Sequence, residues 1–340
     1  MGKVTHIRVI GAGVAGLTVA FECAQAGLTV EVLERREGPG LGCSHLAGGM
    51  LAPWCESEST DKLVLDLGLE SLQFWTKTVA VAKQHGSLVV APARDRPELT
   101  LFGRRAAGFE TIDAAGLASL EPDLEGRFDS ALFCSSEAHL DPRAAMAALA
   151  ARLAESGKVT LRFGVDAAQT PESAGWTIDC RGLAAQDALP DLRGVKGEML
   201  VLATSEIELN RPVRLLHPRQ PVYVVPRGGG RFMIGATMIE NEAPGRITAR
   251  GMLELLGAAY CVHPAFAEAE IVETGAGVRP AFPDNLPKIR RHGRDLYVNG
   301  LYRHGFLLAP ALARRVVKII LEDAYFPEVM DAHLCERQSA

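Results

Sequence analysis

The sequence predicts an α/β protein in two parts: a Rossmann-like dinucleotide-binding unit and a second unit dominated by sheet. Three observations carry that expectation. A G-x-G-x-x-G turn joins an apolar strand to a helix within the first few dozen residues. A strand, a glycine turn and an apolar helix recur near the C-terminus. Between them the pattern shifts to short strands punctuated by turns.

The N-terminal unit is the most legible. His6 to Ile10 reads as a strand, and Gly11-Ala12-Gly13-Val14-Ala15-Gly16 completes the turn. Leu17 to Ala26 is helical in pattern, with Gly27 as a stop. Thr29 to Leu33 is a second strand that ends on Glu34. The first glycine permits the tight turn, the second admits a pyrophosphate to the backbone, and the third packs helix on sheet. The helix N-terminus offers N–H groups and a positive dipole end to phosphates. An acid at Glu34 suits the ribose hydroxyls. These features alone do not separate NAD from FAD.

Length and composition bound the function. At 340 residues the chain can bury a large core and build two domains. A net charge of −5 gives no reason to expect nucleic acid or an anionic membrane as partner. Seven cysteines, at 23, 43, 55, 134, 180, 261 and 335, include no CxxC pair, and no secretory signal is evident, which reads as reduced thiols in a cytoplasmic protein. The nine histidines form no HExxH, so no metal is expected. The apolar N-terminal stretch is short and broken by glycine, and reads as a buried strand and helix with no membrane span.

Further along, Arg35 to Leu46 is a loop rich in glycine and charge. Ala47-Gly48-Gly49-Met50-Leu51-Ala52-Pro53 follows, a small-residue segment that lets backbone approach a large flat group or simply makes a tight connection. Residues 61 to 85 read as helix, with Leu63, Leu67, Leu72, Trp75 and Val79 roughly on one face. Ser87 to Pro92 and Glu98 to Gly103 read as strands, and Asp113 to Leu120 as a short helix. Asp141 caps a helix that begins at Pro142 and runs to about Ser156. Val159 to Phe163 and Trp176 to Cys180 are strands, the second leading into Arg181-Gly182.

Residues 195 to 275 read as the larger part of a second sheet. Gly197 to Leu202, Val222 to Pro226 and Arg231 to Ile234 suit strands, with Gly228-Gly229-Gly230 as a turn. Thr248 to Tyr260 reads as helix and Ala267 to Thr274 as strand. Asp295 to Gly300 is then a strand ending in glycine, and Gly305 precedes an apolar helix from Phe306 to Glu322. The dipole at that helix start favours negative charge, which suits a reduced flavin better than an oxidised nicotinamide and points to FAD.

With these stretches in hand, the sequence resembles the flavoenzymes of the D-amino acid oxidase class, and within them the glycine oxidases of thiamine biosynthesis. The matching pieces are GAGVAGL (11–17), EVLER (31–35), AGGMLAP (47–53), DCRG (179–182), VKGEM (195–199), VYVVPR (222–227), IGATMIE (234–240), GVRPAFPDNLP (277–287) and GLYRHGFLLAP (300–310). They reach nearly from end to end, and AGGMLAP and YRHGFLLAP are far more specific than the glycine turn. The resemblance implies a discontinuous Rossmann-like FAD-binding domain, residues 1–85, 139–194 and 276–340. It pairs this with an α+β substrate domain on a mixed, largely antiparallel sheet, residues 86–138 and 195–275.

The resemblance also implies residue roles. Arg279 matches the arginine that grips the substrate carboxylate, a task suited to the two parallel hydrogen bonds of a guanidinium. Tyr223 matches a tyrosine that reaches the same carboxylate, and Arg303 an arginine beside carboxylate and flavin. Met50 and Met238 match pocket-lining methionines. The FAD-binding set comprises Gly11, Gly13, Val14, Ala15, Gly16, Glu34 and Arg35 from the first unit, and Ala47, Gly48, Gly49, Met50 and Leu51 from the small-residue segment. Cys180, Gly182, Arg303, His304, Gly305, Phe306 and Leu307 complete it. His304 is not assigned as a base, because direct hydride transfer from a neutral amine to flavin needs none.

The expected reaction is oxidative deamination of glycine, or of small amines such as sarcosine or D-alanine. It gives an imine or glyoxylate, ammonia and hydrogen peroxide, with oxygen as acceptor. The imine is expected to pass to thiazole synthase, and homo-oligomers are common in the class. Three alternatives stay open: a D-amino acid, D-proline or sarcosine oxidase or dehydrogenase using another acceptor, a non-catalytic nucleotide-binding module, and an NAD-dependent dehydrogenase.

Overall fold

The computed structural model describes residues 6–331, apart from 59, 172, 174 and 244 and the stretch 218–220. Cys335 lies outside the described residues. The N-terminal unit forms as its sequence predicts: strand β1 (His6–Ile10), helix α1 (Val14–Gln25) and strand β2 (Thr29–Glu34). β1 lies between β2 and Trp176–Asp179, parallel to both. Val159–Phe163 adds beyond β2, Asp295–Asn299 beyond Trp176–Asp179, and Lys288–His292 closes that edge antiparallel. One apolar core, including Leu17, Val32, Leu149 and Leu312, joins this six-stranded sheet to α1, the Pro142–Glu155 helix and the C-terminal helix.

The second sheet has eight strands. In order they are Glu270–Ala281, Arg193–Ala203, Arg231–Gly235, Val222–Gly228, Val213–Leu215, Ser87–Val90, Ser130–Cys134 and Glu110–Asp113. All neighbours are antiparallel except Val213–Leu215 against Ser87–Val90, so the sheet is mixed and largely antiparallel. Its own core, with Leu88, Leu200, Val224 and Phe266, is separate from that of the first sheet. The Glu270–Ala281 strand runs across the expected boundary at 275/276, so Arg279 is carried by the second sheet.

Three local expectations are corrected. Glu98 to Gly103 belongs to a helix, Arg96–Arg105, not a strand. Pro97 sits at its start, Glu98 in its first turn and Arg104 and Arg105 in its last, as the helix dipole favours, and Leu99 and Phe102 bury one face. The helix expected over 61–85 is shorter. Asp61 caps Lys62–Gln73, a single wide turn follows at Phe74–Thr78, and Ala80 then takes a left-handed φ of 58° that no helix continues through. The strand expected at Ala267 begins at Glu270, after a short turn of helix at Pro264–Ala267.

The C-terminal helix, Gly305–Glu322, contains Pro310 in its second turn. Proline has no N–H, so the carbonyl four residues earlier loses its helical partner. That carbonyl belongs to Phe306, and the indole N–H of buried Trp75 donates to it at 2.7 Å.

Candidate active site

A cavity of about 730 Å³ opens where the strand ends of the first sheet meet the face of the second. Gly11, Gly13, Val14 and Ala15 form one wall, and Glu34 and Arg35 line the end of β2. Gly11 has φ +98°, and a Cβ there would stand 2.8 Å from the carbonyl oxygen of Cys180. Glu34 is buried, and its carboxylate accepts from the amides of Ala12 at 2.8 Å and Arg36 at 2.9 Å. Each oxygen keeps lone-pair capacity for a hydroxyl donor. The Val14 amide, at the start of α1, goes to Ser44 Oγ at 3.1 Å.

Ala47, Gly48, Gly49 and Met50 line the cavity from the small-residue segment, and Cys180 and Gly182 from just past the end of the Trp176–Asp179 strand. Arg303, His304, Gly305, Phe306 and Leu307 bring the start of the C-terminal helix to it. The Trp75 contact fixes that helix start. Three expected residues lie off the cavity wall. Gly16 packs against the carbonyl of Gly11, Leu51 is fully buried in the core, and Met238 is half exposed. The sulfur of Met238 nevertheless reaches Arg303 Nη1 at 3.4 Å.

These residues fit a flavin dinucleotide. Gly11 and Gly13 keep their part of the wall free of side chains, Glu34 has capacity for ribose hydroxyls, and two helix N-termini, of α1 and of the C-terminal helix, reach the cavity.

At the second-sheet side stand Arg279, Tyr223 and Arg303. Arg279 lies against Gly197, where an added Cβ would come within 2.1 Å of its Nη2. Its Nη1 donates to the carbonyl of Thr237 at 3.1 Å, and among the described residues no carboxylate pairs with it. Burial, and then the neighbouring Arg303 charge, hold its pKa below the usual arginine value. A half-buried cation so placed lacks an anion.

Arg303 is different. Its Nη2 donates to the Tyr223 hydroxyl at 2.8 Å, and the Tyr223 hydroxyl donates to Glu56 Oε1. Glu56 is a buried carboxylate that the sequence reading missed. It stands 3.3 Å from Arg303 and 3.8 Å from His304 Nδ1. Burial pushes its pKa up, but Arg303, His304 and Arg214 outweigh that and hold it down to about 2. Burial, then the Glu56 charge, raises the Tyr223 phenol, so it stays protonated. Burial carries His304 down to about 4, leaving it neutral and a weak proton acceptor at pH 7. Arg214, also missed, is buried beneath Tyr223, 5.7 Å from its ring and 5.1 Å from that of Phe102, and donates to the carbonyl of Cys55.

Among the described residues no group of three or more histidine, cysteine, aspartate or glutamate side chains could hold a metal ion, and no helix is long and apolar enough to cross a membrane.

Comparison with known proteins places this geometry. A Rhizobium etli protein with the provisional name thiamine biosynthesis oxidoreductase ThiO is 54% identical over 95% of this chain and 98% of its own length. A Synechocystis sp. protein named bifunctional protein ThiO/ThiG is 26% identical over 96% of this chain and 53% of its own length. The crystal structure of a glycine oxidase from Geobacillus kaustophilus superimposes with a TM-score of 0.79 at 22% identity, covering 97% of this chain and 99% of that one. The family described as DAO, FAD dependent oxidoreductase, matches residues 6–319. The glycine turn, the Glu34 carboxylate and the C-terminal helix start all border one cavity that suits a flavin dinucleotide, and the chain belongs to the DAO family of FAD dependent oxidoreductases.

Proposed function

We propose that the protein oxidises glycine, and more slowly small amines such as sarcosine or D-alanine, to the corresponding imine, with oxygen reduced to hydrogen peroxide. The imine hydrolyses to glyoxylate and ammonia or passes to a thiazole synthase. The observation that carries the reading is Arg279: a half-buried guanidinium on the cavity wall with no carboxylate partner among the described residues.

FAD, when bound, supplies the redox chemistry, taking a hydride from the substrate α-carbon and returning electrons to oxygen. The rest is the work of this chain. Arg279 holds the substrate carboxylate through parallel hydrogen bonds and fixes its plane. Gly197 leaves room for the guanidinium to lie flat. Tyr223 and Arg303, tied to Glu56, form the adjoining wall, and the Tyr223 hydroxyl already donates its hydrogen bond to the Glu56 carboxylate. Substrate binding thus contributes position and orientation, which removes much of the entropic barrier to transfer. Neutral His304 shapes the backbone at the helix start and does not act as base. The Rhizobium etli and Synechocystis names support a thiamine-related role, and the second part of the Synechocystis chain supports handover to a partner protein.

The test is anaerobic mixing of purified holoenzyme with glycine while the flavin absorption is recorded. Bleaching by glycine, and more slowly by sarcosine or D-alanine, is expected. A flavin that stays oxidised with glycine but bleaches with D-proline would move the substrate, and one that no amine reduces would remove the reading.

A further inference from the structure

Two half-buried guanidiniums, Arg279 and Arg303, line the substrate end of the cavity, and a third, Arg214, is buried behind Tyr223. Only some are free to meet an anion. Arg214 also acts on the Glu56 charge, but it lies under the Tyr223 ring, off the cavity wall, and donates to a backbone carbonyl, so it does not meet a ligand. Arg303 faces Glu56 at 3.3 Å and is bonded to Tyr223, whose hydroxyl in turn donates to Glu56. Glu56, Tyr223 and Arg303 therefore close on one another as a triad in which cation and anion cancel. Glu56 is buried and lines the same cavity, and its Oε2 receives no hydrogen bond, so the carboxylate is held there chiefly by charge. Removing that charge would leave Arg303 as a second uncompensated cation beside Arg279, whose field already acts on it.

Resting on the reading of Arg279 as the carboxylate site, we propose that Glu56 sets the charge specificity of the cavity. By cancelling Arg303 it limits the substrate end to one free cation, so that the site takes an amine bearing a single carboxylate and rejects dianions. Glu56 is a positioning residue in this account, since it acts through Arg303 and Tyr223. Specificity here comes from withholding attraction as much as from supplying it.

The test is calorimetric titration of the FAD-loaded protein with acetate and with malonate, at a pH where malonate is a dianion. Wild type is expected to bind acetate in preference to malonate. The E56Q substitution is expected to move the malonate-to-acetate affinity ratio toward malonate by about tenfold or more, the effect of one newly exposed cation. E56D, which keeps the charge, is expected to stay closer to wild type. An unchanged ratio in E56Q sinks the role of Glu56 and leaves Arg279 standing. Should E56Q fail to fold, wild type still decides, because tighter binding of malonate than of acetate overturns the proposal. Failure of wild type to bind acetate or glycine at all removes the carboxylate site itself, and both readings with it.

Discussion

The indole N–H of Trp75 donates to the carbonyl of Phe306 at 2.7 Å, across 231 positions of sequence. This bond replaces the one that Pro310 cannot make. Phe306 and Leu307 line the cavity proposed for FAD, so the repair of a helix defect also fixes part of its wall. Trp75→Phe keeps most of the ring and deletes the donor. It is expected to cost about 1–3 kcal/mol, the usual penalty for an orphaned buried carbonyl, and to weaken FAD retention. Urea denaturation and the flavin-to-protein ratio after gel filtration check both.

Arg279→Ala removes the unpaired cation while leaving the first sheet untouched. On the proposed reading, kcat/KM for glycine is expected to fall by about 10²–10³-fold, mostly through KM, as for loss of a buried charge-assisted contact. The flavin content is expected to stay at the wild-type value. Unaltered glycine saturation in stopped-flow reduction would remove Arg279 from the site.

Gly197→Ala tests the same arginine without changing any charge. The new Cβ would lie 2.1 Å from Nη2 and 2.2 Å from Cζ of Arg279, so the guanidinium must move. A rise in glycine KM of about tenfold or more is expected, since an ångström of misplacement is costly in an oriented site. Steady-state kinetics beside a circular-dichroism spectrum separate this from misfolding.

Gly11→Ala is aimed at the cofactor. It would place a Cβ 2.8 Å from the Cys180 carbonyl at a backbone angle that only glycine holds comfortably. The strain is about 1–3 kcal/mol before any contact with the dinucleotide is counted. The expected product is a protein purified largely without flavin, measured by its absorbance ratio.

Four buried groups shape the pH response: His304 and His139, both carried down to about 4 chiefly by burial, Glu56, and Glu137, which burial pushes up to about 7 and which partly offsets the histidines between pH 7 and 4.5. His304 titrates near 4 in the fold against an ordinary 6.5, so the unfolded chain takes up its proton first as pH falls. Its contribution is complete above 6.5 and declines as pH drops toward 4. Glu56 has its folded value lowered to about 2 from 4.5, so its contribution is present above 4.5 and is lost between there and 2. Stability measured by denaturant titration is expected to fall from pH 7 to pH 4.5 in wild type. His304→Asn is expected to flatten that decline, and a slope identical to wild type would exclude His304 as a source of it.

The N-terminal unit was legible because its order is local: strand, glycine, helix and acid lie within 34 residues and form as expected. Glu98 to Gly103 misled because six residues of mixed character satisfy either period, and the decisive signals, Pro97 and the paired Arg104 and Arg105, flank the stretch. Arg279 was found through a motif resemblance, and the structure adds why it is poised: Gly197, on the neighbouring strand, makes space for it. Glu56 escaped notice because nothing near it in sequence marks it. Its partners are Tyr223, Arg303 and His304, all more than 160 positions away. Charge pairing at that separation is invisible until the chain is folded.

The cavity proposed for FAD draws its walls from segments scattered between Ile10 and Leu307, on both sheets. A ligand seated there ties these segments together as a noncovalent staple. Because it binds the folded chain and not the unfolded one, saturation a hundredfold above its dissociation constant adds ~2.7 kcal/mol to stability. A copy without flavin lacks that increment, so loss of the cofactor is expected to weaken the fold together with the activity.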